Sequence, residues 1–284
     1  RSTLFPYTTL FRSGRRRKNK AAMTCLVIIL LLIAVAIFAP LIAPYDPSHQ
    51  DYQSVLAQPN AKHLLGADEY GRDILSRIIY GTRISLSIGI LAQLLASIIG
   101  ITLGSLAGYF GGIVDAVISR IMEIFSAFPD LIFAMAIMTF LGQGILNLYI
   151  ALGFLTWVRT ARMIRGAVIQ LKEKEYVEAS RASGGRSFRI IVKHLIPNCL
   201  STIIVLVTLG IPHAIMYEAS LSFLGLGIQP PTPSWGNMIS AAQSVIGFLP
   251  IYSIMPGVAI IITVITFNIF GDGLRDALDP KLRV

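Results

Sequence analysis

Charged side chains are scarce in this 284-residue chain: Asp, Glu, Lys and Arg make up 14% of it, against about 25% in an ordinary soluble domain. Too few polar residues remain to cover a soluble fold of this size, so that class is excluded. Cysteine is nearly absent. Cys25 and Cys199 lie in or beside apolar runs, offer neither a disulfide framework nor metal-ligand spacing, and read as small hydrophobes. The four histidines, at 49, 63, 194 and 213, are dispersed, and no metal or cofactor is implied. None of the seven lysines precedes Ser or Thr. That removes the P-loop, whose lysine and hydroxyl hold phosphate and magnesium. His-Glu-x-x-His, Gly-x-Gly-x-x-Gly and Gly-x-Ser-x-Gly are missing too, which leaves no catalytic residue to nominate.

What is there is apolar. AVILMFWYC residues make up 54% and the mean hydropathy is +0.69, so the excess apolar surface must face lipid. The net charge of +9 and pI near 9.8 would also suit a nucleic-acid binder, and the placement of the charges decides between the two. Residues 1–13, which include TLFPYTTLFRS, differ in composition from the rest of the chain and resemble a translated sequencing adapter. They are set aside as an artefact, and leaving out Arg1 and Arg12 lowers the net charge to +7.

A helix crossing about 30 Å of hydrocarbon needs roughly 20 apolar residues. After a basic stretch at 14–20, the first span occupies 21–44, uncharged as far as Pro44. Its length exceeds a signal-peptide core, so it reads as a retained anchor although Ala34-Val35-Ala36 would pass as a cleavage site. An external segment, 45–83, leads into a core over 84–271. The later spans are Ile84 to Tyr109, Val114 to Leu141 broken at Pro129-Asp130, Ile145 to Thr160, Cys199 to Met216, and Phe248 to Phe270. A tail follows at 272–284. The fold class is an all-α membrane protein, a polytopic six-helix transmembrane bundle.

Lys and Arg in short loops orient such a bundle. With the basic N-terminus cytoplasmic, six crossings put the 159–198 loop and the C-terminus on the same side. That loop carries Arg159, Arg162, Arg165, Lys172, Lys174, Arg181, Arg186, Arg189 and Lys193, whereas no Lys or Arg occurs between Lys193 and Arg275. Most of the basic charge is thus a topology signal, and no nucleic-acid partner is expected.

The second span repeats small residues every fourth position: Ala92, Ala96, Gly100, Gly104 and Gly108. They share one helix face and make a groove for a close-packed neighbour, in this chain or another. Ionisable residues in apolar segments are functional candidates. Asp115, Arg120 and Glu123 open the third span, with Arg120 and Glu123 spaced to pair near the headgroups. Glu218 closes the fifth span, where a packing or capping role competes with lining a pathway. His213 follows Pro212 there and reads as locally hydrogen-bonded.

The loop between the fourth and fifth spans is long for a connection. Leu171 to Ala182 reads as helix, Ser183-Gly184-Gly185 as a break, and Ser187 to Leu195 as a second helix ending before Pro197. Within it, Glu178-Ala179-Ser180-Arg181-Ala182-Ser183-Gly184, followed by His194-Leu195-Ile196-Pro197-Asn198, resembles the EAA loop (171–198) of type I ABC importer permeases. Ser180 stands where a second alanine is usual. His63 to Asp73 (HLLGADEYGRD), Glu218 to Gly227 (EASLSFLGLG), Pro230 to Gly236 (PPTPSWG) and Gly271 to Asp276 (GDGLRD) are similar to the C-type permease of dipeptide, oligopeptide and nickel importers.

That resemblance implies the type I ABC importer permease fold and a place in the bacterial or archaeal inner membrane, with both termini cytoplasmic. The implied partners are a B-type permease, two cytoplasmic ATPases that do the hydrolysis, and an external substrate-binding protein. Glu178, Ala179, Ser180, Arg181, Ala182, Gly184, His194 and Pro197 would couple to an ATPase; Glu218, Ser220 and Ser222 are candidates for pathway or gating. The competing class, a gradient-driven secondary transporter or channel, favours inverted repeats, and no convincing internal repeat is seen.

Overall fold

The computed structural model describes the backbone of residues 7–278 and the side chains of 20–278. Of the segment set aside at 1–13, residues 1–6 lie outside the described residues; so do 279–284 of the expected tail.

Eleven α-helices carry the described chain: α1 Tyr7–Ile42, α2 Ile74–Phe110, α3 Gly112–Ser126, α4 Asp130–Leu141, α5 Ile145–Leu171, α6 Glu175–Ala182, α7 Ser187–Ile190, α8 Ile196–Asn198, α9 Leu200–Phe223, α10 Trp235–Ala242 and α11 Ile251–Leu278. Among the described residues four helices are long and apolar enough to cross a membrane: α1 from Lys20, α2, α9 and α11. The pair α3 and α4 passes the same test together, bent by 91° where Pro129 cannot continue a helix. Helix α5 fails it on composition, because Arg159, Arg162 and Arg165 occupy its second half. Its 27 residues are nonetheless long enough to span, at about 1.5 Å each.

Helices α2 and α5 form the centre, and they run parallel. Methyl groups placed on Gly100, Gly104 and Gly108 would meet Trp157, Ala161 and Arg165 in ascending order. Parallel neighbours require the chain to cross back between them, and the bent pair makes that return. Asp115 of α3 pairs with Arg165 near the end of α5, whereas Ala134 and Met138 of α4 pack with Leu148 and Leu152 near its start. Helix α9 runs antiparallel to α2, with Gly89 against Ile215 and Gln93 against Gly210. Helix α11 returns beside α1, bringing Gly273 onto Ala22. The described beginning of α1 and end of α11 therefore lie on the face that carries α6, and residues 45–73 with α10 cover the opposite face.

Several helix limits differ from the sequence expectation. The span expected to close at Thr160 runs on to Leu171, so Arg159, Arg162 and Arg165 lie in α5 and not in the loop, and the span expected to end at Met216 continues to Phe223. Helix α2 begins at Ile74, before the apolar run at Ile84, because Asp73 caps it: its Oδ2 accepts from the Ser76 amide at 2.7 Å. The helix expected from Leu171 to Ala182 is two helices, since α5 ends at Leu171 and α6 starts only at Glu175. Pro197 does not stop the second loop helix. A π-helical turn, Ile191–Leu195, precedes it, with the Ile196 amide donating five residues back to the Ile191 carbonyl. This shift of register lets α8 take Pro197 into its first turn, where a missing N–H costs least.

Candidate functional site: the loop helix and the clamped cap

Helix α6 is short, and three features make it rigid. Glu175 and Glu178 stand in its first turn and Arg181 in its last, matching the helix dipole at both ends. Its C-terminus closes in a Schellman motif: Gly184 N–H donates to Arg181 O, and Gly185 N–H to Ser180 O at 2.9 Å. Gly184 takes the left-handed conformation that this requires (φ +78°), and a methyl on Gly185 would lie 2.6 Å from Ser180 O. Gly185, which the sequence shows only as part of a break, is thus as necessary as Gly184. Finally, Val177 is fully buried among Tyr109, Ile164, Val168, Ile190, Leu195 and Cys199.

That socket joins the ends of α2, α5 and α7 and the start of α9. Arg181 stacks over the Tyr109 ring at 5.4 Å, and Lys172 Nζ caps the Gly108 carbonyl at 3.1 Å. A push on α6 is therefore delivered to several long helices at once. Outward, α6 presents Glu178, Ala179 and Ala182, with exposed Gly184 beside them; Ser180 is half-buried. His194 is half-buried in the π-helical turn, where its carbonyl accepts from Asn198 Nδ2 at 2.6 Å, and Pro197 is exposed.

The small-residue stripe is buried along its whole length, and its neighbour is α5 of the same chain. Gly100 and Gly104 let the Trp157 and Ala161 backbone approach so closely that a methyl there would stand 2.8 and 2.5 Å from their carbonyl oxygens. Arg120 and Glu123 pair at 2.7 Å, both exposed, and Asp115 is held by both Nε and Nη2 of Arg165. His213 receives a hydrogen bond on Nε2 from Arg159 Nη1 at 3.2 Å.

On the opposite face, Glu218 is fully buried. Its Oε1 accepts from Ser222 Oγ at 2.7 Å and Ser234 Oγ at 2.8 Å, while Oε2 has no partner. Ser234 and Asn237 form a capping box at the start of α10. A methyl on Gly236 would meet Ala219 Cα at 2.6 Å. Glu218 and Ser222 thus clamp α10 onto α9, whereas half-exposed Ser220 donates to the Met216 carbonyl at 2.9 Å. Sequence reasoning did not single out Ser234 and Asn237, although the S-x-x-N spacing before a helix signals such a cap.

Residues 45–73 are held by a buried polar network that the sequence showed only as mixed charge. Asp68 takes Arg72 Nε at 2.6 Å and lies 3.5 Å from Arg77 Nε, all three buried. Arg77 Nη1 also donates to the Pro47 carbonyl at 3.0 Å and the Pro231 carbonyl at 3.3 Å, tying this segment to the loop before α10. His63 Nδ1 bonds Asp73 at 2.9 Å. At the rim, hydrogen bonds from Lys62 and Ser54 hold the Asp51 carboxyl down at about 2, and Asp51 in turn raises the Lys62 ammonium. No group of three or more metal-ligating side chains occurs among the described residues.

This helical arrangement is that of ABC transporter membrane subunits. A chain of the MetNI methionine ABC transporter in inward facing conformations superposes with a TM-score of 0.59 at 22% identity, over 72% of this chain and 98% of that one. A chain of an amino acid ABC transporter gives 0.54 at 17% identity, over 71% and 94%. In sequence, the glutathione transport system permease protein GsiD of Pectobacterium atrosepticum is 42% identical over all of this chain and 94% of its own. The dipeptide transport system permease protein DppC of Alkalihalophilus pseudofirmus is 44% identical over 94% and 88%. The oligopeptide transport system permease protein OppC of Bacillus subtilis is 43% identical over 95% and 88%. The profile of the N-terminal TM domain of oligopeptide transport permease C matches residues 13–59. That of the binding-protein-dependent transport system inner membrane component matches 100–284, and the chain belongs to this family of ABC importer permeases. The gradient-driven alternative is set aside by these relatives.

Proposed function

We propose that the chain forms half of a translocation pathway for short peptides or similar small solutes, and that α6 is its coupling helix. A B-type permease would supply the other half, two cytoplasmic ATPases would dock on the α6 face, and an external binding protein would deliver substrate to the face covered by residues 45–73 and α10. ATP hydrolysis belongs to the separate subunits. The basic residues from Lys172 to Lys193 support a cytoplasmic α6 face, the face on which the described start of α1 and end of α11 also lie.

The observation that carries this reading is the Val177 anchor. A rigid helix socketed into the ends of α2, α5, α7 and α9 converts motion of an ATPase beneath it into rocking of the bundle, because packed interfaces shift as bodies. Glu178, Ala179 and Ala182 leave a low, charged outer surface for a groove. In the double variant Glu178→Arg, Gly184→Asp, ATP-driven uptake by the complete transporter should fall at least tenfold while the chain stays inserted and the ATPases keep their basal turnover. Wild-type uptake by that variant, with the ATPases still required, would overturn the assignment.

A further inference from the structure

Near the middle of α5 and α9, two ionisable pairs stand on the outside of this chain's own packing. Arg159, exposed, donates to His213 Nε2 at 3.2 Å. Asp130, exposed at the bend between α3 and α4, accepts from Tyr217 Oη at 2.5 Å. His213 and Tyr217 are four residues apart on α9, so the two pairs lie on one face about one helical turn, roughly 6 Å, from each other. Each charge is held by a neutral partner: the imidazole nitrogen that accepts from Arg159 carries no proton, and the phenol donates. Among the described residues no salt bridge joins either charge to an opposite one.

A cation and an anion that no direct salt bridge joins are costly at mid-depth against hydrocarbon, and such residues face a water-filled cavity or another protein surface instead. One positive and one negative group, kept apart by neutral spacers, complement a small zwitterion. A short peptide carries an ammonium at one end and a carboxylate at the other, at most about 3.6 Å of chain per residue apart. The guanidinium suits a carboxylate through two parallel N–H donors.

We propose that Arg159, His213, Asp130 and Tyr217 form a substrate subsite inside the pathway, with Arg159 taking the carboxylate of a short peptide and Asp130 its ammonium. The inference rests on the reading of the chain as a peptide permease, and its test separates the two. Binding of radiolabelled trialanine is measured on the complete four-subunit transporter in nanodiscs, without binding protein. Unlabelled trialanine amide and N-acetyl-trialanine serve as competitors. ATP-driven uptake by the wild type with binding protein is measured alongside, and its absence would sink the permease reading itself.

Arg159→Gln should weaken trialanine binding tenfold or more while changing competition by trialanine amide less than twofold. Asp130→Asn should do the reverse, sparing N-acetyl-trialanine. Arg159→Lys, which keeps the charge but not the two parallel donors, should recover part of the loss. Equal weakening for all three peptides, no effect of either variant, no trialanine binding by an active wild-type transporter, or failure of the variants to assemble with the partner permease would each overturn the subsite. The last outcome would place the cluster in a subunit contact.

Discussion

Replacing Gly104 by alanine adds one methyl group at the tightest point between α2 and α5. Built on the present backbone, that carbon lies 2.5 Å from the Ala161 carbonyl oxygen and 3.1 Å from its Cα. Neither neighbour is a flexible side-chain end, so the two helices must part by about 0.9 Å to reach ordinary contact near 3.4 Å. A gap of about 0.5 to 1 Å forfeits a quarter to a half of each dispersion well it opens. The interface is continuous from Ala92 to Gly108, so the loss is shared along several turns. Overpacking of this kind costs about 1 to 3 kcal/mol, and at about 2 to 4 °C per kcal/mol melting should fall by about 2 to 12 °C. The assay is thiol labelling against temperature, read by mass spectrometry at Cys199, which is buried beside Val168 and Ile164 in the α6 socket. Gly166→Ala is the matched control on α5, because a methyl there meets nothing within 4 Å; it should leave the curve unchanged or raise it. Equal labelling curves for Gly104→Ala and Gly166→Ala would refute the close-approach argument.

Two further outcomes concern the cap over residues 45–73. Asp68→Ala leaves buried Arg77 without its carboxylate and Arg72 with only Glu69 at 3.6 Å, at a cost of about 3 kcal/mol, the lower end for a broken buried pair. Protease cleavage within 45–73 should then appear while α2 and α5 stay protected, and an unchanged digestion pattern would contradict the network's role. At the rim, Asp51 titrates at about 2 in place of 3.8. A carboxyl lowered on folding contributes above its unfolded value and loses that contribution as pH falls through the folded one. The difference in pepsin cleavage between wild type and Asp51→Asn should be full at about pH 4.5 and vanish near pH 2; a difference independent of pH would rule the Lys62 clip out.

Much of the candidate site was legible because it is local. The acidic start, small outer face and glycine end of α6 are written in consecutive residues, and helix capping and dipoles act within one turn. The Schellman partner Gly185 was legible in principle, yet read only as a helix break. Val177 was not: one valine in a charged loop gains meaning only when the ends of α2, α5, α7 and α9 converge on it. The same holds for Glu218. Its sequence neighbours left clamp and pathway open, and Ser234, sixteen residues on, supplies a contact that only the returning α10 brings near.

By itself, the sequence determined that the chain lives in lipid, where its breaks fall and how small residues line one face of α2. Those properties follow from composition, from 3.6-residue periodicity and from the cost of burying charge. The tertiary structure decided which surface that stripe meets, how Pro197 is absorbed without ending a helix, and why Arg-rich α5 belongs inside the bundle. It also set Arg159 and Asp130 one turn apart on neutral partners from α9. Each of these depends on atoms far apart along the chain. Pairwise contact over such distances has no periodic trace in sequence, because it is fixed by how whole helices pack.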